Sequence, residues 1–201
     1  AALAAAPALA QNLIQNGSFE SPALSAGSWG VYPAGIPNWS NTAGSGFEVQ
    51  NNAAGAALAG SQLVELDGYD NSGMAQTVPT QPGAPYLFTF GYSPRPGVDA
   101  LSNAIQVFVD GNLVASIAHD GTGNADTVWQ RYSYGVTATG SAMTVEFRAS
   151  GTSDGVGGYV DDVTLAPIAR AAPVPGPTGW LAIALGALLL PAARARLRRL
   201  R

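Results

Sequence analysis

Two acidic residues near opposite ends of the chain raise the question of what chemistry this sequence could perform: Glu20 in "NLIQNGSFE" and Asp161 in "GGYVDDVTL". Two-residue alternation in the second stretch puts Tyr159, Asp161, Val163 and Leu165 on one strand face. Val163 and Leu165 should point into a core, which leaves Asp161 as a carboxylate near apolar surroundings. That is costly unless the group is neutralised or coordinated. Asp162 falls on the opposite, solvent-facing side. If the first and last strands meet at one end of the fold, Glu20 and Asp161 could clasp a hard cation, and carboxylates with backbone carbonyls suit Ca2+. The alternative is that Asp161 takes hydrogen bonds from loop amides and no metal is involved.

A second set of residues suits sugar recognition. Sugars stack on exposed rings, and small binding faces place Trp or Tyr beside Asn, Asp, Gln or Arg. Trp29 and Tyr32 in "GSWGVYPAG", Tyr69 in "DGYDNSG" and Arg95 in "YSPRPG" are all expected in Gly- and Pro-rich loops, where a rigid scaffold displays a site. Trp39 and Trp129 adjoin strand-like segments and are expected in the core. Catalysis has weaker support. Glu48, Glu65 and Asp67 raise the question of a glycosidase pair, which needs two carboxyls facing each other across a sugar. Acids on the solvent face of strands are ordinary in an acidic protein, however, and a domain this small implies no deep cleft. His119 has no plausible triad, and there is no Gly-x-Ser-x-Gly elbow. "GTGNAD" and "GVGG" precede no helix and read as turns, so no cofactor beyond calcium is indicated. The chain reads as a non-enzyme.

These residues must be positioned by strands. Between residues 11 and 167 no window sustains helical periodicity, whereas alternation recurs. "AMTVEFRAS" sets Met143, Val145 and Phe147 on one face, and "PYLFTFGYS" groups Tyr86, Phe88, Phe90 and Tyr92. "AIQVFVDGNLVASIA" reads as a hairpin turning at Asp110-Gly111. "QLVELDG", "GMAQTVPT", "WQRYSYGVTA" and "GYVDDVTL" add further strands. Eight to ten strands without helices predict an all-β fold, an antiparallel β-sandwich. The first third, through "SGFEVQNNAAGAALAG", is loop-rich.

Charge and composition exclude several classes. All 13 carboxylates lie between Glu20 and Asp162, where the only basic residues are Arg95, Arg131 and Arg148. So acidic a body repels phosphate backbones, which argues against nucleic acid as a partner. Zero Cys excludes disulfides, zinc-thiolate sites and thiol nucleophiles.

The two ends read as addresses rather than fold. Residues 1–10, ending Ala8-Leu9-Ala10, have the small-x-small form of a signal-peptidase site and read as a signal-peptide remnant. After the domain at 11–167, residues 168–177 form a Pro-rich linker. Residues 178–193 form a short apolar stretch, read as a C-terminal transmembrane helix although spanning usually takes about 20 residues. Residues 194–201 form a basic tail that reads as cytoplasmic under the positive-inside rule.

Pro175-Gly176-Pro177, the apolar stretch, and Arg194, Arg196, Arg198, Arg199 and Arg201 together resemble a PEP-CTERM sorting signal, with Gly176 where that family usually has Glu. The resemblance implies export across an inner membrane, transient anchoring there and processing by an exosortase, with final residence on the cell surface or in the extracellular matrix. "NLIQNGSFE" and "GGYVDDVTL" resemble the ends of carbohydrate-binding modules with the galactose-binding-like jelly roll. With "GSQLVELDG", "MAQTVPTQPGAPYLFTFGYSPRPG" and "WQRYSYGVTATGSAMTVEFRAS", most of residues 12–165 is similar to a family of unknown function known from plant cell-wall proteins. That resemblance implies a jelly roll that binds polysaccharide, with structural calcium near the chain ends. For Glu20 and Asp161 the match is to motif positions. A structural or adhesive matrix protein without a sugar site is the competing expectation.

Overall fold

Alternating side chains produce the strands, and two interleaved sheets bury their apolar faces against each other. The computed structural model describes residues 11–168, which belong to one compact unit. Eleven strands occur among them: β1 (Trp29–Tyr32), β2 (Ser40–Ala43), β3 (Phe47–Gln50), β4 (Leu63–Glu65), β5 (Gly73–Pro79), β6 (Pro85–Ser93), β7 (Ile105–Val109), β8 (Asn112–Ile117), β9 (Gln130–Thr137), β10 (Ala142–Ala149) and β11 (Tyr159–Pro167). One sheet has six strands in the order β1-β3-β4-β11-β6-β9, and the other has five in the order β2-β5-β10-β7-β8. Every strand pairing is antiparallel. The result is the expected all-β sandwich, with three four-residue strands in the third that read as loop-rich. No helix among the described residues is long and apolar enough to cross a membrane.

The core lies where the predicted faces meet. Tyr86, Phe88, Phe90 and Tyr92 of β6 face Met143, Val145 and Phe147 of β10, and all seven are buried. Phe147 sits at the centre, 5.0 Å from the Phe90 ring, 5.9 Å from Phe88 and 6.2 Å from Trp39. The β7–β8 hairpin turns at Asp110 (φ 49°) and Gly111 (φ 75°), the two left-handed residues that a tight hairpin requires.

The last strand departs from simple alternation. Between Asp161 and Thr164 its register against β6 slips by one residue, and Asp162 takes a left-handed φ of 50°. This β-bulge changes which face the chain presents. Val160 points into the core before it, and Val163 and Leu165 after it, while Tyr159 and Asp161 stand on the outer face of the six-stranded sheet. Asp161 therefore does not share a face with Val163 and Leu165, as uninterrupted alternation would have it. The start of the domain runs alongside this strand: the Leu13 amide donates to the Leu165 carbonyl (2.8 Å) and the Val163 amide to the Gly17 carbonyl (2.9 Å). A Cβ on Gly17 would fall 2.1 Å from the Val163 oxygen, so only glycine allows this approach.

Candidate functional site: a cleft on the outer face of the six-stranded sheet

Part of the outer face of the six-stranded sheet, over β4, the start of β11 and the end of β6, is buried although it does not face the core. Leu63, Glu65, Tyr159 and Ser93 are each 0% exposed on that side. The cover is the loop of residues 51–62, which folds back over β4, β11 and β6. Its amides and carbonyls would be stranded there without partners, and outer-face side chains supply them. The Tyr159 hydroxyl donates to the Ala54 carbonyl (3.1 Å), the Trp129 indole to the Ala56 carbonyl (2.9 Å), and the Ala56 amide donates to Asp126 (2.9 Å). Leu58 and Ala59 amides donate to Asp161 Oδ2 at 2.7 and 2.9 Å, and Ser61 and Gln62 amides to Glu20 Oε1 at 2.8 and 2.9 Å.

Glu20 and Asp161 thus act on one loop, as two clasps along it. Their remaining oxygens are also taken: Glu20 Oε2 accepts from the Ser61 hydroxyl (2.9 Å) and Asp161 Oδ1 from the Asp162 amide (2.6 Å). N–H and O–H groups occupy the directions in which a cation would lie, so as arranged these two carboxylates do not fit a shared calcium. Burial pushes the Asp161 carboxyl up to about 7 against the opposing pull of its amide donors. Asp162, on the solvent side, pairs with Arg131 at 2.6 Å.

Where the loop leaves β3 it exposes a cleft of about 280 Å³, lined by Trp29, Glu48, Gln50, Ala53, Ala54, Gly68, Arg95 and Gly155. Alternation places these polar groups. In β3, Phe47 and Val49 point into the core, so Glu48 and Gln50 point out. The register sets Trp29 opposite Gln50 and Glu48 opposite Glu65. Arg95 comes from the segment after β6, its amide held by Asn103 Oδ1 at 2.8 Å. Its guanidinium contacts both Glu65 oxygens at 2.7 and 2.6 Å. Gln50 Nε2 and the Gly157 amide also donate to Glu65, each at 2.6 Å. Burial pushes the Glu65 carboxyl up to about 7 even against Arg95 and the Gly157 amide, and burial raises Glu48 as well. Trp29 stands 54% exposed at the mouth. The cleft therefore offers an exposed indole, an oriented guanidinium and a carboxyl within a small volume, walled by a Gln50 amide already committed to Glu65 and to the Ala54 amide (3.1 Å). That set suits stacking and hydrogen bonding to a ring with several hydroxyls.

Of the residues expected to bind, Trp29 and Arg95 meet here. Tyr32 does not: its ring lies beside Gly30, half-buried against the core. Tyr69 is 64% exposed on the loop next to the lining residue Gly68 but outside the cleft. Trp39 is in the core as expected, 1% exposed, with its indole donating to the Asn16 carbonyl (3.0 Å). Trp129 is not: it packs half-buried on the outer face against the loop. Glu65 and Asp67, expected on a solvent face, are both 0% exposed because the loops 51–62 and 151–157 close over them. Glu65 uses both oxygens on Arg95, Gln50 and Gly157, so Glu48 and Glu65 do not form two free carboxyls facing across a sugar. Gln50 went unread in the sequence, although the alternation of "FEVQ" was its signal. Pro175, Gly176, Pro177 and the tail arginines lie outside the described residues.

A larger groove of about 810 Å³ runs along β5 between Leu13, Gln15, Ile36 and Thr144. Its Trp39 is buried, and no charged side chain lines it, so it lacks the exposed ring and oriented charge of the cleft.

A sandwich of this kind has the architecture of the β-sandwich carbohydrate-binding modules. It is similar in fold to TmCBM61, solved in complex with beta-1,4-galactotriose, with a TM-score of 0.53 and 19% identity over 79% of this chain and 99% of that one. It is also similar to part of an arabinose-bound MgGH51 α-L-arabinofuranosidase, with a TM-score of 0.51 and 14% identity over 78% of this chain and 26% of that one. Residues 12–166 match the family described as protein of unknown function DUF642, and the chain belongs to that family. In sequence it is similar to a stretch of the multifunctional-autoprocessing repeats-in-toxin protein of Vibrio cholerae, 28% identical over 162 residues. The counterpart in Vibrio vulnificus is 27% identical over 157 residues. These matches cover 77% of this chain but span 3% of the length of either relative.

Proposed function

We propose that the domain is a non-catalytic carbohydrate-binding module that holds polysaccharide of the envelope or extracellular matrix in the Trp29–Arg95 cleft. The observation that carries this reading is the exposed Trp29 ring sharing a small cleft with Glu48, Gln50 and the Glu65-braced Arg95. Such a braced guanidinium is pre-aimed, so little side-chain freedom is lost on binding. The likeness of fold to a module solved with a galactan oligosaccharide supports the same class of ligand. One ring and a few polar contacts make single-site binding weak, and close packing of copies on a surface would compensate through multivalency.

The deciding experiment is a glycan array of the protein and of Trp29→Ala. Retention on one glycan class, lost at least about tenfold in the variant, supports the reading. A blank array from folded protein favours the structural or adhesive matrix protein instead. The tail motif supports export, membrane anchoring and exosortase-type processing. Removing residues 174–201 is expected to send the protein into the medium, and undiminished cell association would overturn that part.

A further inference from the structure

Three buried side-chain atoms among the described residues lack a hydrogen-bond partner, and all three are oxygens: Asn41 Oδ1, Asp67 Oδ1 and Asn71 Oδ1. They belong to one corner of the sandwich. The chain leaves β4, runs through Asp67, turns at residues 68–70 and returns so that Asn71 pairs with Asp67 as an isolated antiparallel bridge. Paired residues carry their side chains on the same side, which sets Asp67 and Asn71 next to each other. The turn after Asn41 is seated on the same strand: a Cβ on Gly44 would fall 2.4 Å from the Asn71 carbonyl oxygen.

The two amides cannot be turned round to remove the problem. Asn71 Nδ2 donates to the Gly151 carbonyl (2.8 Å) and Asn41 Nδ2 to the Gly44 carbonyl (3.1 Å), so a flip would set oxygen against oxygen. Asp67 is 0% exposed. Its Oδ2 accepts from the Asp154 amide at 3.1 Å, the Gly155 amide also bears on the carboxylate, and its Oδ1 has no partner in hydrogen-bond geometry. Asp154 and Asp70 both bear on Asp67 as like charges. Among the described residues none of the three forms an ion pair. Burial is the main cause that holds the Asp67 carboxyl above its ordinary range. Either a proton on Asp67 or a cation would relieve this corner, and the titration below separates the two. A water molecule would meet the acceptors but leave the charge uncompensated.

We propose that this corner binds a calcium ion through Asp67 Oδ1 and Asn71 Oδ1, at a site separate from the Glu20 and Asp161 carboxylates. No three Asp, Glu or His side chains among the described residues converge as a ready metal cluster. The ion is therefore held by an amide oxygen, one direct carboxylate and water, with Asp154 and Asp70 adding charge nearby. So few charged ligands place the dissociation constant on the order of 10⁻⁴ to 10⁻³ M, the range of extracellular calcium modules. Gly68 and Gly155, the neighbours of Asp67 and Asp154, line the sugar cleft, so the ion also stiffens its wall.

The test uses the chelator-stripped full chain, titrated with Tb3+ and followed by luminescence sensitised by the exposed Tyr69, with Ca2+ as competitor. Asp67→Asn keeps the shape and gives Asn71 Oδ1 a donor. It is expected to weaken binding at least about tenfold. Asn71→Asp adds a charge and is expected to tighten it, while Glu20→Gln leaves it unchanged. No saturable signal in the wild type overturns the proposal, as does binding that Glu20→Gln abolishes while both Asp67→Asn and Asn71→Asp leave it as before. If Asp67→Asn does not fold, the tightening in Asn71→Asp decides alone.

Discussion

Tyr92 shows how much one buried group can set the pH range of a protein. Its hydroxyl is fully buried, donates to the Asn103 carbonyl (2.8 Å) and accepts from the His119 amide (3.2 Å). Burial pushes its ionisation up to about 12 from an ordinary value of 10.0. The unfolded chain releases this proton more readily, so the stability tied to the neutral phenol is fully present below pH 10 and is lost as pH rises through about 12. Unfolding between those values is expected to coincide with a late rise in phenolate absorbance. In Tyr92→Phe the alkaline limit should move upward only as far as Tyr159 allows, since burial raises that phenol too, and an unchanged limit would assign it to Tyr159. At the same scale Arg95 has two duties, bracing Glu65 and facing the cleft. Its replacement would confound binding with stability, because Glu65 would lose its main partner while still buried. Trp29, which has no such structural duty, is the cleaner probe of the cleft.

At the scale of elements, the bulge in β11 does the most to shape the site. Val160 and Val163 both reach the core only because Asp162 takes up one residue at a φ of 50°. The same extra residue leaves Tyr159 and Asp161 facing outward, where they hold the covering loop. A second residue inserted after Asp162 would exceed the one residue that the bulge takes up and turn Val163 and Leu165 outward. Such a chain is expected to show no cooperative unfolding transition. Asp162→Gly keeps the bulge, since glycine adopts that φ freely. It loses only an ion pair to Arg131, whose side chain is 60% exposed, worth at most about 1 kcal/mol. Comparable melting temperatures for the insertion and the glycine variant would refute the account.

For the whole molecule, stability rests on aromatic side chains drawn from both sheets. Phe147 of the five-stranded sheet touches Phe88 and Phe90 of the six-stranded sheet and Trp39 of the segment before β2. Trp39 in turn lies 5.5 Å from Phe19 in the N-terminal segment. Phe147→Ala would open a cavity bordered by all of them and is expected to cost about 3–5 kcal/mol, read as a lower denaturation midpoint with little change in slope. A loss below about 1 kcal/mol would mean the sheets collapse onto the gap and are less rigidly packed than native interiors are.

What the sequence determined by itself is what local periodicity can carry. Alternation in "PYLFTFGYS" and "AMTVEFRAS" named the core faces correctly, and Asp110-Gly111 marked its hairpin, because side-chain direction and turn geometry are decided by neighbours in the chain. Gly- and Pro-rich surroundings marked Trp29 and Arg95 as displayed residues, although Trp29 and Tyr32 begin and end strand β1 rather than lying in a loop. Only the tertiary structure decided the rest. The bulge at Asp162 depends on pairing with β6, and a one-residue slip reverses every face beyond it. Glu65, Asp67 and Trp129 were misplaced because their burial comes from loops distant in sequence. The loop 51–62 has no periodicity of its own. It is held by carboxylates, hydroxyls and an indole from Glu20, Asp126, Trp129, Tyr159 and Asp161, contacts up to 105 residues away. Burial of a polar group is a property of what packs over it, and that partner is chosen in three dimensions.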